Sequence, residues 1–390
     1  MSSLLVSLTN FLENISQKKL IFLLLAISIV KTGIWYHPLL WHMLEIAKNP
    51  FENVFGDEAH KYFIYSSWLG PFIGYMLNFT SKFSFFFLHL LFSIFFLISF
   101  IFLIKDRVEK NNQRTSIILF FVFPVSMISL YWVGYDSLLL LLFTISVYFH
   151  KNLLVTLLSS IGIGLQHFEI GIVSTGLLLT CKIIEELSNK DKQKIDISYI
   201  FLLIYFFGLI TGKIILYYIY VDENLVGGRF SWAYNALLHL VYNFYFNFYN
   251  IAWFSLGVGW LVIFKFFFDY KNQYPLIISL LLLLFTVMPL VDDHTRIYSA
   301  SSFIIIIYYI ICNNNFLKTI NKNEQAIIFV IWILFPYSWI WQGDPRASMF
   351  QYDLAYVINF FFDVFNNHVD SSTIWPFERI KLDLKKFEIF

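Results

Sequence analysis

Long apolar runs recur along most of this chain, and they constrain its fold more than any other feature. Several approach the ~20 residues that an α-helix needs to cross the ~30 Å hydrocarbon core of a bilayer. Only 14% of the 390 residues are charged, well below the ~25% of an ordinary soluble domain. Because hydrocarbon offers backbone groups no hydrogen-bond partner, helices are the expected form. The sequence therefore predicts an all-α polytopic membrane protein with a single transmembrane domain over 1–390.

Hydropathy predicts about 11 spans. Their approximate bounds are 20–35, 84–104, 115–133, 137–150, 152–166, 170–186, 197–220, 250–268, 275–291, 298–312 and 325–341. A twelfth span is present if the short segment 354–365 also crosses. The first non-cytoplasmic loop, 37–83, is long enough for one or two short interfacial helices.

Lys and Arg are concentrated in alternate loops, which sets the orientation by the positive-inside rule. Lys18 and Lys19 precede the first apolar run, and no small-residue cleavage site follows it, so the N-terminus is expected in the cytoplasm. Segments 137–150 and 152–166 are each short for a span, and merging them would invert everything downstream. The distribution of basic residues favours two short helices over one merged helix. The chain is expected to be a multi-pass protein of the cell (inner or plasma) membrane.

Net charge and cysteine content exclude a nucleic-acid-binding protein and a protein built on disulfides or cysteine-bound metal. A formal net charge of +1 does not provide the broad basic surface that nucleic-acid binding requires. Two cysteines, Cys181 and Cys312, give no disulfide framework and no cysteine-based metal site.

Ionisable residues at predicted helix ends crowd the non-cytoplasmic face. Charge beside lipid is costly, so such a concentration indicates a functional site. The predicted site residues are Asp57 and Glu58 as catalytic groups, with His60, Asp136, His167, Glu169, Arg229, Asp292, Asp293, His294 and Arg296 as substrate-binding groups.

The residue types indicate the chemistry. Adjacent acids such as Asp57 and Glu58 can act as a general base or hold a divalent cation. These loop positions fix no coordination geometry, so neither a metal nor another cofactor is predicted. Arg229 and Arg296 suit phosphate or diphosphate, which a guanidinium binds through two parallel hydrogen bonds. Acids and arginines beside a bilayer therefore favour glycosyl transfer from a lipid-phosphate-linked sugar.

Some of these residues have simpler alternatives. Asp136 follows a Gly-Tyr turn and can cap the next helix. His167 and Glu169 are two residues apart and share no helix face, so they act together only at a helix end or break.

With this topology, the chain resembles the GT-C superfamily of multispanning glycosyltransferases that use polyprenyl-phosphate sugars. Three features carry the resemblance: Asp57-Glu58 followed by Trp68-Leu69-Gly70-Pro71, Phe123-Pro124 leading to Tyr135-Asp136-Ser137, and the helix pair that reaches Gln166-His167-Phe168-Glu169. The resemblance covers 20–186 as a GT-C-like core, and 187–390 follows it by topology alone.

The resemblance implies that the acid of the first loop, Asp57 or its neighbour Glu58, deprotonates the acceptor hydroxyl. The implied partners are a polyprenyl-phosphate- or polyprenyl-diphosphate-linked sugar, a lipid-linked or surface glycan acceptor, and the bilayer. No Trp-Trp-Asp signature is present, which disfavours transfer to protein asparagine.

Two alternatives stay open. An O-antigen or capsule repeat-unit polymerase would depend on periplasm-facing arginines, a role that Arg229 and Arg296 can fill. A transporter or flippase for lipid-linked sugars would carry mid-membrane charges and paired broken helices. Lys31 and Lys213 are the clear mid-span charges in the sequence.

Overall fold

The computed structural model describes residues 2–32, 34, 36–37, 39–56, 64–188, 196–221, 233–270, 274–335, 338–341 and 344–347. These residues are helical apart from turns and one short antiparallel strand pair. The predicted segment 354–365 lies outside them.

Ten helices lie within residues 2–220. They are α1 Ser2–Asn14, α2 Gln17–Thr32, α3 Leu40–Lys48, α4 Leu69–Met76, α5 Lys82–Arg107, α6 Gln113–Val122, α7 Pro124–Tyr131, α8 Tyr135–Tyr148, α9 Leu153–Leu187 and α10 Tyr199–Tyr220. Two of them, α3 and α4, are the short helices predicted within the first long loop.

The remaining helices are shorter and more irregular. They are α11 Leu237–Phe246, α12 Phe248–Phe254, α13 Gly259–Asp269, α14 Tyr274–Leu282, α15 His294–Ile306, α16 Asn314–Leu317 and α17 Lys322–Leu334. A π-helical turn, Leu283–Val287, and a 3₁₀ turn, Met288–Leu290, extend α14, and a second π turn, Ile307–Ile311, extends α15. Strands β1 Ser338–Trp341 and β2 Asp344–Ala347 pair antiparallel, with Ser338 opposite Ala347.

Among the described residues, three helices, α5, α9 and α10, have the length and apolar composition to cross a membrane, with α9 taken over its whole length despite the break at His167 described below. Two bent helix pairs would raise that number to five. Large apolar side chains on these helices face outward, among them Phe102 on α5 and Leu203 and Phe207 on α10, which are 58%, 70% and 61% exposed. An outward apolar surface of this kind suits lipid rather than water. The helical character is therefore that of a membrane protein.

Three predicted spans are not continuous helices in the structure. Segment 115–133 bends by 58° between α6 and α7, because Pro124 forces the preceding Phe123 into an extended conformation. Segment 250–268 bends by 79° between α12 and α13, where Gly257 adopts a positive φ of 53°. Segment 325–341 ends as a helix at Leu334 and continues as β1.

Helix α9 reverses direction at His167, whose backbone is extended (φ −163°, ψ 77°). A methyl group on Gly171 would lie 2.8 Å from Cγ2 of Ile163, whereas eight residues span ~12 Å in a continuous helix. The two arms therefore form a hairpin, as expected from predicting 152–166 and 170–186 separately.

Helices α8 and α9 are also separate. The Ser146 hydroxyl lies 2.8 Å from that of Ser159, thirteen residues later, and the Asn152 side chain caps α9 by accepting from the Val155 amide. The prediction of two short helices rather than one long helix is confirmed for these segments. Helix α10 packs against the first arm of α9. The two helices are so close that a methyl group on Gly212 would lie 2.9 Å from Cα of Gly164.

The helix ends gather into two groups, named here by one residue of each. The Arg107 end contains the turn at 149–152 and the ends of α5 and α15, and it includes Glu185, Tyr309 and Asn314. The Asp136 end contains the starts of α8 and α15 and the break in α9.

Candidate functional site

The structure describes seven of the eleven predicted site residues, and all seven lie at the Asp136 end. They are Asp136, His167, Glu169, Asp292, Asp293, His294 and Arg296. The other four, Asp57, Glu58, His60 and Arg229, lie outside the described residues.

A buried triad forms the centre of this cluster. Nη1 of Arg296 donates to both carboxylate oxygens of Asp136, at 2.9 and 3.2 Å. Nε of Arg296 donates to Oδ2 of Asp293 at 2.5 Å. Because the three side chains are buried, solvent screens these contacts little. We refer to Asp136, Arg296 and Asp293 as the triad.

The backbone explains why the triad forms. Asp136 lies in the first turn of α8, where the helix dipole favours a negative charge. Asp293 is the residue before α15, and Arg296 lies one turn into that helix. Packing of α15 against α8 then joins residues 160 positions apart in the sequence. Asp136 therefore binds Arg296 across the bundle, beyond the capping role considered from the sequence.

Two ring side chains, those of Tyr135 and His37, lie beside the triad. The Arg296 guanidinium lies over the Tyr135 ring, 5.1 Å from its centroid. The Tyr135 hydroxyl is 3.0 Å from Nε2 of His37, and the Leu39 amide donates to Nδ1 of the same imidazole at 3.1 Å. A neutral His37 therefore carries its proton on Nε2 and donates it to Tyr135.

The break in α9 brings His167 and Glu169 together. Nδ1 of His167 is 3.4 Å from Oε2 of Glu169, and Nζ of Lys213 on α10 is 3.6 Å from Oε1 of the same carboxylate. This break is the condition that the sequence spacing required. The His167 ring is 6.3 Å from that of Tyr135, so this group adjoins the triad.

Asp293 has a perturbed acidity. It lies in the connection between the predicted spans 275–291 and 298–312. Burial raises the pKa of Asp293 to about 6, while the neighbouring Arg296 opposes the rise and the charges of Asp136 and Asp292 add to it. His294, next in sequence, is buried and its ring lies 6.5 Å from that of Phe244.

Several polar residues of this end were missed by the sequence reasoning. Within the apolar helix α5, His89 donates from Nδ1 to the Gly134 carbonyl at 2.9 Å. Gln166 accepts from the Gly70 amide and donates to the Tyr135 carbonyl, both at 2.9 Å. His89 is a polar residue inside an apolar run, and Gln166 directly precedes the predicted His167, but neither position reveals a partner.

The first long loop enters and leaves at this same end. The Tyr65 hydroxyl is 3.1 Å from the Asn53 amide oxygen, which joins the two flanks of residues 57–63. The Trp68 amide donates to the carbonyl of Leu165 at 3.1 Å, two residues before the break in α9. The two flanks of the segment that carries the predicted catalytic acids therefore lie at the same end of the bundle as the His167 group.

A polar cavity of about 540 Å³ lies at the Arg107 end instead. Arg107 donates to the carbonyls of Val147 and Tyr148 and closes the C-terminus of α8. The Tyr309 hydroxyl donates to buried Glu185 at 2.6 Å. These bonds serve helix packing.

Within the part of the chain that the structure describes, no group of three or more His, Cys, Asp or Glu side chains is arranged to hold a metal ion. In comparisons with known protein families, curated proteins and solved structures, none matches this chain.

Proposed function

We propose that this protein is a membrane glycosyltransferase of the GT-C type. It would move a sugar from a polyprenyl-phosphate-linked donor to a hydroxyl of a lipid-linked or surface glycan acceptor, on the non-cytoplasmic side. The observation that carries the proposal is the joining of the triad, the His167–Glu169 pair and both flanks of residues 57–63 at one end of an apolar bundle. An apolar bundle with one polar end suits a reaction on a lipid-anchored substrate.

In the proposed reaction, the carboxylate of Asp57, with Glu58 as the competing candidate, takes the proton of the acceptor hydroxyl. The hydroxyl oxygen bonds to the anomeric carbon as the bond from that carbon to the phosphate oxygen breaks. The lipid phosphate leaves with the bonding electrons. Arg229 is our candidate to stabilise this leaving group, because Arg296 is already neutralised by two carboxylates.

The proposed topology has about 11 spans and places the Asp136 end outside. Basic residues near the Arg107 end support it: Lys318 pairs with Glu109 at 2.8 Å, and Lys151 and Arg107 line the cavity there. By the positive-inside rule this end faces the cytoplasm. The cell membrane would be the site of action.

Topology can be tested with an impermeant thiol reagent on whole cells. In a Cys181→Ser/Cys312→Ser background, Asn53→Cys should be labelled in intact cells, and Lys110→Cys only after permeabilisation. The reverse pattern would invert the orientation and remove the basis for a non-cytoplasmic site.

Activity can be tested on full-length protein in proteoliposomes with synthetic polyprenyl-phosphate sugars and lipid-linked glycan acceptors. We expect the wild type to add one sugar, Asp57→Asn to lose transfer by at least about 100-fold, and the acid Glu45, exposed on α3, to be replaceable by Gln without effect. A ladder of repeat units that persists in Asp57→Asn would indicate the polymerase. Movement of lipid-linked sugar across the membrane without any transfer would indicate the transporter.

A further inference from the structure

Helix α11 has three different sides. At ~100° per residue, Leu240 and Phe244 share one side, and both are buried against the bundle. A second side carries four large exposed side chains, named here the tyrosine face: Leu238, Val241, Tyr242 and Tyr245. The third side carries uncharged polar side chains at intervals of four residues: His239, Asn243 and Asn247. Outside its contact with the bundle, the helix therefore separates an apolar surface from a polar one.

The tyrosine face is too apolar for contact with water alone. Leu238 is 87% exposed and Tyr245 is 79% exposed. The Phe246 ring packs against that of Tyr242, with the centroids 4.2 Å apart, and enlarges the apolar surface. From 230 to 264 the sequence contains no Asp, Glu, Lys or Arg. A contiguous exposed apolar surface of this kind indicates a partner, and the absence of charge indicates an apolar one.

Helix α10 shows where the bilayer lies relative to the two ends of the bundle. It has exposed tyrosines at both ends, Tyr199 near the Arg107 end and Tyr217 and Tyr218 near the other. From Tyr199 to Tyr218 the helix rises about 28 Å at ~1.5 Å per residue, which is close to the ~30 Å hydrocarbon core of a bilayer. Tyrosines are enriched at the two interfaces of a membrane. Tyr217 and Tyr218 therefore mark the interface at the Asp136 end.

Contacts place α11 at this same end. The Phe244 ring on its buried side lies 6.5 Å from that of His294, at the start of α15. Directly after α11, Phe248 stacks on Phe285 with the centroids 5.6 Å apart. With 10 residues, α11 is about 15 Å long, which is half the thickness of the hydrocarbon core. It is therefore too short to cross the membrane, and its three sides suit a helix that lies along the surface.

We propose that α11 lies in the plane of the membrane interface at the Asp136 end and binds lipid through the tyrosine face. The tyrosine face contacts the boundary between headgroups and acyl chains, and the side that carries His239 and Asn243 faces water. Tyrosine suits this boundary because its ring is apolar and its hydroxyl is polar. The inference goes beyond the proposed function, since it concerns contact with the bilayer and holds whether or not the protein transfers a sugar.

The test measures the depth of nitroxide labels in full-length protein, in nanodiscs of phosphatidylcholine and phosphatidylglycerol. Depth is obtained by EPR power saturation with O₂ and a water-soluble nickel chelate, in the Cys181→Ser/Cys312→Ser background. Labels at Leu238→Cys and Tyr245→Cys should lie about 5–10 Å below the phosphates. A label at Phe207→Cys, near the middle of α10, should lie at about 15 Å, half the thickness of the core.

His239→Cys is the matched control, because it places the label on the polar side of the same helix. The nickel chelate should reach this label freely. Equal access of the chelate to Leu238→Cys and His239→Cys would show that the tyrosine face lies in water. A depth at Leu238→Cys equal to that at Phe207→Cys would show that α11 lies in the hydrocarbon. Exclusion of both O₂ and the chelate from the tyrosine face would show that protein covers it. Each of these three results would overturn the proposal.

A measurement on the wild type removes any effect of the substitutions. Lipids that carry a diazirine beside the glycerol should label residues 237–249 after irradiation, and lipids with the diazirine at the end of the acyl chain should not. Shallow labelling elsewhere on the protein without labelling of 237–249 would refute the proposal. The labelled cysteine variants should keep the helical content of the wild type by far-UV circular dichroism.

Discussion

Removing the members of the triad one at a time should destabilise the protein to very different extents, because two carboxylates share one guanidinium. In Arg296→Gln, the carboxylates of Asp136 and Asp293 remain buried, at 1% and 4% exposure, without their cation. Leaving a buried charge unpaired costs roughly 3–5 kcal/mol. We expect a loss of unfolding free energy in that range for Arg296→Gln.

The two acids should differ from Arg296 and from each other. Asp136 accepts two hydrogen bonds from Arg296, so Asp136→Asn should cost about 1–3 kcal/mol. Asparagine at position 293 keeps an oxygen for Nε of Arg296 and removes the excess negative charge. Asp293→Asn should therefore leave the unfolding free energy at neutral pH unchanged or raise it by about 1 kcal/mol.

The measurement is the free energy of unfolding in mixed micelles, by titration with a denaturing detergent and far-UV circular dichroism. Lys48→Gln is the control: it breaks an exposed pair with Glu45, at 2.8 Å, and should change stability by less than about 0.5 kcal/mol. If Asp293→Asn costs as much as Arg296→Gln, the argument from excess charge is wrong. If Arg296→Gln unfolds like the control, the buried triad itself is refuted.

Three further predictions concern packing, a buried acid and pH. A methyl group on Gly212 would lie 2.4 Å from a backbone carbonyl oxygen of α9, whereas one on Gly176 would meet nothing within 4 Å. Gly212→Ala should therefore lower the free energy of unfolding by about 1–3 kcal/mol in the same assay. Gly176→Ala should not lower it. Tyr309→Phe removes the donor to a buried glutamate and should cost about 1.5–3 kcal/mol, whereas Tyr199→Phe, whose glutamate partner is exposed, should cost under about 0.5 kcal/mol. Burial raises the pKa of Asp293 to about 6 from 3.8. The folded state therefore binds this proton more tightly than the unfolded state does. The free energy of unfolding should fall by roughly 3 kcal/mol as the pH rises from about 4 to about 6. Asp293→Asn should abolish that slope, and an unchanged slope would contradict the assignment.

Much of the helical pattern is predictable from local sequence, because chain breaks leave local signals. The polar residues His150, Lys151 and Asn152 separate α8 from α9, and Asn is a residue type that caps helices. The bend between α6 and α7 was predictable in principle from Pro124, which lies within the predicted span 115–133. Hydropathy averaged over a window the length of a span does not detect a single proline, so it does not predict the break at Pro124.

The grouping of the site was predictable only in part. The sequence predicts that polar residues share one end of the bundle, because successive spans alternate in direction. It also predicts that His167 and Glu169 act together only if the helix ends or breaks there. The partner of Arg296 was not predictable, because Asp136 lies 160 residues away in the sequence and meets it only through packing of α15 on α8. The same holds for His89 and the Gly134 carbonyl.

The function of an arginine depends on the charges that surround it as much as on its own side chain. In the sequence, Arg296 is a guanidinium at a membrane face and suits phosphate. In the fold it is paired with two carboxylates, those of Asp136 and Asp293. Loss of activity in Arg296→Ala would therefore carry no information about phosphate, because the same variant leaves two carboxylates unpaired and unfolds the site. The informative variant is Asp136→Asn/Arg296→Gln, which removes one charge of each sign and leaves Asp293 in place. If this variant folds and keeps transferase activity, Arg296 contributes to folding and not to the reaction. If it folds but loses transfer, Arg296 acts in the reaction, either directly or through Asp293.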